Sequence, residues 1–420
     1  MTVNVTTLPN GFRVATDHMP GLKSASVGIW VYAGSRHEEA HQNGIAHFLE
    51  HMMFKGTSSR NAIQIVEAIE NVGGDINAYT GRDTTAYFAR VLENDVLPTV
   101  NVLADMILDS VMDTSDIENE RGVILQEIGE MLDTPDDIIF ELLDQAAFPN
   151  HPIGRCILGT GQTVGGFRRD DLMEFRRSHY VPDRMVLSAA GAVCHDSLAR
   201  AAEKLFGHME RREPPPVLPA RFVGGESRTA RELEQVHFAM AFETPPLGDV
   251  RVNTSSLYTL ALGGSNSSRL FQQLREKRGL CYTVSARDWG CSDTGMMVVY
   301  AGTSGRDVHD LSHILVEEMN RAAHDMTQAE LDRAKTQIRT GFVMGMESPR
   351  IRAERLAQSI KIFNRVRSPD EILENVESVA LGDLRDFAGH VASRSSSALA
   401  MYGPLESAPT FESLQQRRAA

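Results

Sequence analysis

The segment MERREPPPVLPARFVGGESRT, residues 209–229, lies at the midpoint of the 420-residue chain and combines charge, four prolines and a Gly-Gly pair. Prolines keep such a stretch extended, so it reads as an interdomain linker. One core rarely serves more than about 250–300 residues. The break therefore predicts two domains, 1–208 and 233–420, joined by a linker at 209–232. The halves are alike in outline. NAYTGRDTTAYFARV at 77–91 alternates as a strand pair and precedes an amphipathic stretch at 96–112; CYTVSARDWGCSDTGMMVVYAG at 281–302 does the same before 308–319. TSDIENERGVILQEIGEML and TQAELDRAKTQIRTGFVMG come next, each opening on a Thr/Ser cap signal and carrying helical periodicity. Aligning Asp116 with Ala329 sets Arg333 opposite Glu120 and Thr340 opposite Glu127. The second copy keeps the frame and loses the acids, which predicts one catalytic and one supporting domain. Chance likeness between two α+β segments would look similar.

Charge narrows the partners. With 42 basic and 56 acidic side chains the net charge is −14, and phosphate recognition needs the opposite balance, so nucleic acid is excluded as a partner. The same charge suits basic ligands, although solubility alone accounts for it. No stretch approaches the roughly 20 apolar residues of a bilayer-crossing helix, so no membrane partner is expected. The amino terminus reads as a strand and turn (Val3, Val5, then Pro9-Asn10-Gly11), without a signal or transit pattern, and the expected location is the cytoplasm. Cys156, Cys194, Cys281 and Cys291 are scattered without a CxxC pair, which fits a reducing compartment and argues against a cysteine metal site.

GIAHFLEHMMFKGT at 44–57 carries the chemistry. Ile45, Phe48, Leu49 and Met52 make an apolar helical face, and Gly56 is placed for a helix stop. His47 and His51, four apart, project from one side of the helix, with Glu50 on nearly the same side. Two imidazoles there can bind zinc beside a carboxylate that takes a proton from water, in the order His-x-x-Glu-His. Catalytic zinc usually has three protein ligands. The candidates for a third lie on a helix starting near Thr114, where Ser115 and Glu118 make a capping-box signal. Glu120 and Glu127, two turns apart, share a face with Ile117, Val123, Ile124 and Ile128. A solvated acidic stripe has the same pattern, yet acids beside apolar positions are costly without a cation or partner.

In these residues the chain resembles the pitrilysin/insulinase superfamily of zinc peptidases, in the short branch that includes the mitochondrial processing peptidase β subunit and its bacterial homologues. The resemblance rests on HFLEH at 47–51 with MMFKGT after it, GGDINAYTGRDTTAYFARV, ENERGVILQEI, HPIGRCILGT at 151–160 and LREKRGLCYTVSA at 274–286. It implies Glu127 as third zinc ligand, Glu120 as the acid supporting the site, and Glu50 as the base that takes the water's proton and delivers it to the leaving amine. Asn77 and Ala78 match an edge strand on which an extended peptide pairs, although they also read as a plain edge strand. Arg275 and Tyr282 match a pair aimed at the substrate carbonyl, chemically apt for a developing oxyanion; a surface arginine and a half-buried tyrosine is the plainer reading.

The long members of the family form a clamshell from two such chains' worth of sequence. The resemblance therefore implies a homodimer, or a heterodimer with a related subunit, in which Arg275 and Tyr282 act on the partner's zinc site. A helix starts at Thr134-Pro135, where Asp136 and Asp137 suit the helix dipole. In the processing branch, Asp137 and Glu141 match an acidic pair that holds an arginine just before the cleaved bond. LGGSNSSRL at 262–270 corresponds to a glycine-rich loop of the non-catalytic processing subunit, but is shorter and poorer in glycine, against a presequence-gripping role. The expected architecture is α+β: two similar domains, each a mostly antiparallel sheet covered by helices, together half of a clamshell chamber. The expected activity is a zinc metalloendopeptidase acting on unfolded, presequence-like peptides with an arginine near the cut. The alternatives are general oligopeptide degradation and a non-catalytic scaffold subunit of the same family.

Overall fold

The computed structural model describes residues 2–393 and 396–419. In the first sheet, strands β1 (Thr2–Thr7), β2 (Arg13–His18), β3 (Ser24–Val31), β4 (Asp75–Thr80), β5 (Thr85–Leu92) and β6 (Met185–Gly191) lie in the order β1-β2-β6-β3-β5-β4. In the second, β7 (Gly225–Ala230), β8 (Val236–Thr244), β9 (Cys281–Gly290), β10 (Gly295–Thr303) and β11 (Ser397–Gly403) lie in the order β7-β11-β8-β10-β9. Without β1 the two orders are the same, and each sheet has its single parallel pairing at the matching place, β2 with β6 and β7 with β11. The faint internal repeat is thus a repeated topology. Both expected strand pairs form, β4–β5 and β9–β10, as does the amino-terminal turn between β1 and β2. The fold is α+β with two helix-covered sheets, as the sequence predicts.

The compact units do not follow the sequence halves. One comprises the described residues up to Glu130 with Arg155–Leu218 and Val343–Val366; the other comprises Met131–Gly154, Pro219–Phe342 and the residues from Arg367 on. Segments 131–154 and 343–366 each join the unit formed mainly by the other half of the chain, and the reason is packing. Seven of the eight residues of β3 are buried, which requires cover on both faces. Ala25, Val27, Ile29 and Val31 face a core completed by the helix Val96–Asp109 through Val100, Leu103 and Ile107. The opposite face is built from small residues around Trp30, including Ala15, Ala86 and Ala190, and the helix Pro349–Phe363 lays Ala353, Leu356, Ala357 and Ile360 on it. Ser188 Oγ donates to the Ala353 carbonyl at 2.7 Å and Tyr32 OH to that of Ala357 at 2.8 Å.

The second unit has the same device with the chain's halves exchanged. Its sheet pairs Ala239 with Ala400 and Ala241 with Ala398. On that shallow surface the helix Pro135–Ala147 buries Ile139, Leu143 and Ala147. Each fully buried leucine or isoleucine contributes about 1.5–3 kcal/mol.

Within the segment 209–232, β7 starts at Gly225 and pairs with β11. Its first part is tied to the first unit: Arg211 pairs with Asp183 at 2.8 Å, Arg184 donates to the Pro215 carbonyl at 2.9 Å and Arg36 to that of Leu218 at 3.2 Å. All four cysteines are free thiols. Among the described residues no helix is long and apolar enough to cross a membrane.

Candidate metal centre

The first candidate element is the helix Ile45–Met52, which buries Ile45, Ala46, Phe48, Leu49 and Met52 and leaves His47, Glu50 and His51 on the opposite side. The helix stops at Met52, short of the expected stop at Gly56. Three successive carbonyls, Glu50, His51 and Met52, are taken up by the amides of Met53, Phe54 and Lys55, and Gly56 instead bridges to Asn61. The second element is the helix Thr114–Asp133, whose Ile117, Ile124 and Ile128 enter the first core. Its start differs from the expected Ser115/Glu118 box. The cap is Asp113, which accepts from the Ser115 amide and hydroxyl at 2.8 and 2.6 Å, while Arg121 captures Glu118 at 2.9 Å. The matching helix Gln328–Gly345 does form such a box, with the Thr327 amide on Glu330 at 2.8 Å and the Glu330 amide on Thr327 at 3.3 Å.

The two helices bring His47, His51 and Glu127 together. Nε2 of each histidine lies 3.7 Å from Glu127 Oε2, too far for a hydrogen bond. That spacing is near the edge of a tetrahedral site with ligand bonds of about 2.0–2.2 Å, which is about 3.4 Å. Among the described residues this is the one group of three or more His, Cys, Asp or Glu side chains whose ligand atoms lie within 4.8 Å of one another. The donor set, two imidazoles and a carboxylate, is that of a hydrolytic zinc site with a position left for water.

Surrounding groups fix the donors. Glu120, 6% exposed, stays outside the trio; its Oε2 lies 3.0 Å from His51 Nδ1 and its Oε1 2.6 Å from Lys55 Nζ. A carboxylate only accepts, so His51 carries its proton on Nδ1 and turns the Nε2 lone pair toward Glu127. His47 has no such support. Its Nδ1 is buried without a hydrogen-bond partner among the described residues. Burial, with His51 beside it, lowers His47 to about 4, so the imidazole is neutral and able to ligate at neutral pH. Burial raises the Glu50 carboxyl above its ordinary value, opposed by the Thr80 hydroxyl, which donates to Oε2 at 2.5 Å. A carboxylate with a raised value is suited to accepting and returning a proton near neutral pH.

Thr80 and Lys55 are the contacts that sequence reasoning missed. Thr80 ends β4 two residues beyond Ala78, so alternation puts both on the face toward the histidine helix, and that alternation was the available signal. Lys55 stands inside the motif at 44–57, but nothing in the sequence couples it to Glu120.

β4 is an edge of its sheet, with Asn77 exposed and Ala78 half-buried. Arg275 lies in the π-helical turn Phe271–Glu276 and stacks over the Tyr282 ring at 5.0 Å and the Phe271 ring at 4.6 Å. Tyr282, at the start of β9, is 77% exposed. Both belong to the second unit. So do Asp137, exposed, and Glu141, half-buried with an Oε2 that has no partner among the described residues. Neighbouring Asp136 is held by His237 at 2.9 Å and Tyr300 at 3.1 Å. In the 262–270 loop, Arg269 folds inward onto Glu330 at 2.6 Å and onto Asp325.

Residues 13–161 match the profile described as insulinase (peptidase family M16), and residues 166–338 that of the peptidase M16 inactive domain. A Rickettsia bellii protein described as an uncharacterized zinc protease is 37% identical over 402 residues, covering 96% of this chain and 97% of that one. Similarly described proteins of Mycobacterium bovis and Bacillus subtilis are 40% and 34% identical, covering 95% and 96% of this chain and 92% and 99% of theirs. Among solved structures, a protease from Helicobacter pylori is similar with a TM-score of 0.88 at 20% identity, covering 96% of this chain and 99% of that one. A chain of the Candida albicans complex III dimer has the same TM-score at 21% identity, with 100% of both chains covered. At those identities the likeness concerns the fold.

Proposed function

The chain belongs to the insulinase-type peptidase family M16 and is a zinc peptidase, and from that premise we propose that it is an endopeptidase cutting unfolded peptides with an arginine near the cleaved bond. The observation that carries the proposed site is the approach of His47 Nε2 and His51 Nε2 to one oxygen of Glu127, with Glu50 beside them on the same short helix. His47, His51 and Glu127 hold the zinc. When bound, zinc supplies Lewis acidity to a water and to the substrate carbonyl.

The chain's own groups do the rest. Glu50, with Oε2 held by Thr80, keeps Oε1 for the attacking water, accepts its proton and returns it to the leaving amine. Glu120 keeps His51 in the ligating tautomer. The open edge of β4 at Asn77 and Ala78 pairs with the extended peptide backbone. Arg275 and Tyr282 donate to the carbonyl oxygen as it gains charge, reaching the zinc site of a second copy in a dimer. Asp137 and the unpartnered Glu141 carboxylate take the substrate arginine. The expected setting is the cytoplasm.

Glu50→Gln tests the chemistry: stoichiometric zinc should remain while cleavage is lost, and cleavage that persists contradicts the mechanism. Mass-spectrometric mapping of cuts in a peptide library tests the substrate. Cuts that ignore an Arg→Ala replacement indicate general oligopeptide degradation instead.

A further inference from the structure

We propose that Glu38 is the positioning residue of the histidine helix, supplying from upstream the cap that its own first residue cannot provide. The N-cap is Gly44, which has no side chain to offer and sits in the left-handed region at φ 95°. A side chain cannot be added there. A Cβ on Gly44 would meet the Leu158 carbonyl oxygen at 2.7 Å and Gly159 Cα at 2.8 Å. Gly159 is equally tight, since its own Cβ would meet the Asn43 carbonyl oxygen at 2.5 Å. The close approach of these two backbones is incompatible with an ordinary Ser, Asp or Asn cap.

Glu38, 2% exposed, fills the gap. Its Oε2 accepts from the Gly44 amide at 2.9 Å and from Asn43 Nδ2 at 3.2 Å, and its Oε1 accepts from the Ala46 amide at 3.0 Å. Asn43 Nδ2 also donates to the Cys156 carbonyl at 2.8 Å, and Arg155 Nη2 donates to the Glu38 carbonyl at 3.2 Å. Both carboxylate oxygens are thus engaged by donors, at the end of the helix where negative charge is favoured. The Ala46 amide directly precedes His47. The helix has only eight residues, so the orientation fixed at its start carries unaveraged to both histidines. Glu38 touches none of the reacting groups and acts through the helix alone.

The inference rests on the zinc site proposed above, and one experiment separates the two. Zinc affinity is measured by chelator competition on full-length wild type, Glu38→Gln and Asn43→Ala. The visible spectrum of each cobalt-loaded protein is recorded as well. The assays run near pH 8, above the value of about 7 to which burial lifts Glu38. Glutamine keeps the size of the side chain but turns a donor toward one of the backbone amides. Supporting residues of this kind typically govern about 10- to 100-fold in metal affinity. Glu38→Gln should therefore bind zinc at least about tenfold more weakly with an altered cobalt spectrum, and Asn43→Ala about threefold more weakly. Should Glu38→Gln fail to fold, Asn43→Ala decides by the same two readouts. A merely structural role lowers the unfolding temperature and leaves affinity and spectrum at wild type, and that result overturns the proposal. A wild type that binds no stoichiometric zinc overturns the site as well.

Discussion

Replacing Glu120 with glutamine removes the charge behind one proposed zinc ligand, His51, without changing the shape of the side chain. Glu120 Oε2 faces His51 Nδ1 at 3.0 Å and Oε1 faces Lys55 Nζ at 2.6 Å, on a residue that is 6% exposed. The Lys55 side is a third exposed, so water takes over much of that contact and its loss costs little. The His51 side is nearly closed, and a charge-assisted bond there is worth about 1.5–3 kcal/mol. At about 1.4 kcal/mol per decade, losing it weakens zinc binding about ten- to hundredfold. Glu120→Gln should show that loss in chelator competition, whereas Lys55→Met should weaken binding by less than about threefold. Zinc-saturated Glu120→Gln should retain more turnover than Glu50→Gln. An unchanged zinc affinity in Glu120→Gln would refute the reading of His51 as held by this carboxylate.

The exchanged helices give a second test: Leu143→Ala and Leu356→Ala should each cost about 2–5 kcal/mol. Hydrogen exchange should quicken in β8 and β11 for the first and in β3 and β6 for the second, and the reverse assignment would contradict the packing described. Acid should destabilise the metal-free protein. Burial is the leading cause that lowers His37 to about 3 and His47 and His179 to about 4. The unfolded chain then binds these protons more tightly, so the stability they confer is complete above about 6.5 and lost as pH falls toward 4, with Glu38 working in the opposite sense. Thermal scans should show the unfolding midpoint dropping across that window, less steeply in His179→Asn; a flat midpoint contradicts this. Mixing Glu50→Gln chains with Arg275→Ala chains should restore activity if Arg275 acts on a partner's site, and no recovery in mixed dimers counts against it.

The trio His47, His51 and Glu127 was legible because helical periodicity alone aligns the two histidines, and because the resemblance singles out one glutamate of the acidic helix. The repeated topology was legible for a similar reason, since strand alternation and cap signals recur at matching places. What the sequence hid were contacts between distant segments. Nothing local says that the apolar stripe Ile139, Leu143 and Ala147 packs on a sheet formed a hundred residues later. Local rules also misplaced the cap at Ser115, because Arg121, anchored on the Phe167 carbonyl at 2.8 Å, draws Glu118 away. Glu38 was invisible for the opposite reason: a glycine at the helix start gives no hint that its cap lies six residues upstream.

The measurement closest to the central claim is a crystal structure of the zinc-loaded protein recorded at the zinc absorption edge. One anomalous peak per chain is expected, about 2.0–2.2 Å from His47 Nε2, His51 Nε2 and a Glu127 oxygen. A peak held by Glu120 instead of Glu127, or zinc bound away from these helices, would contradict it.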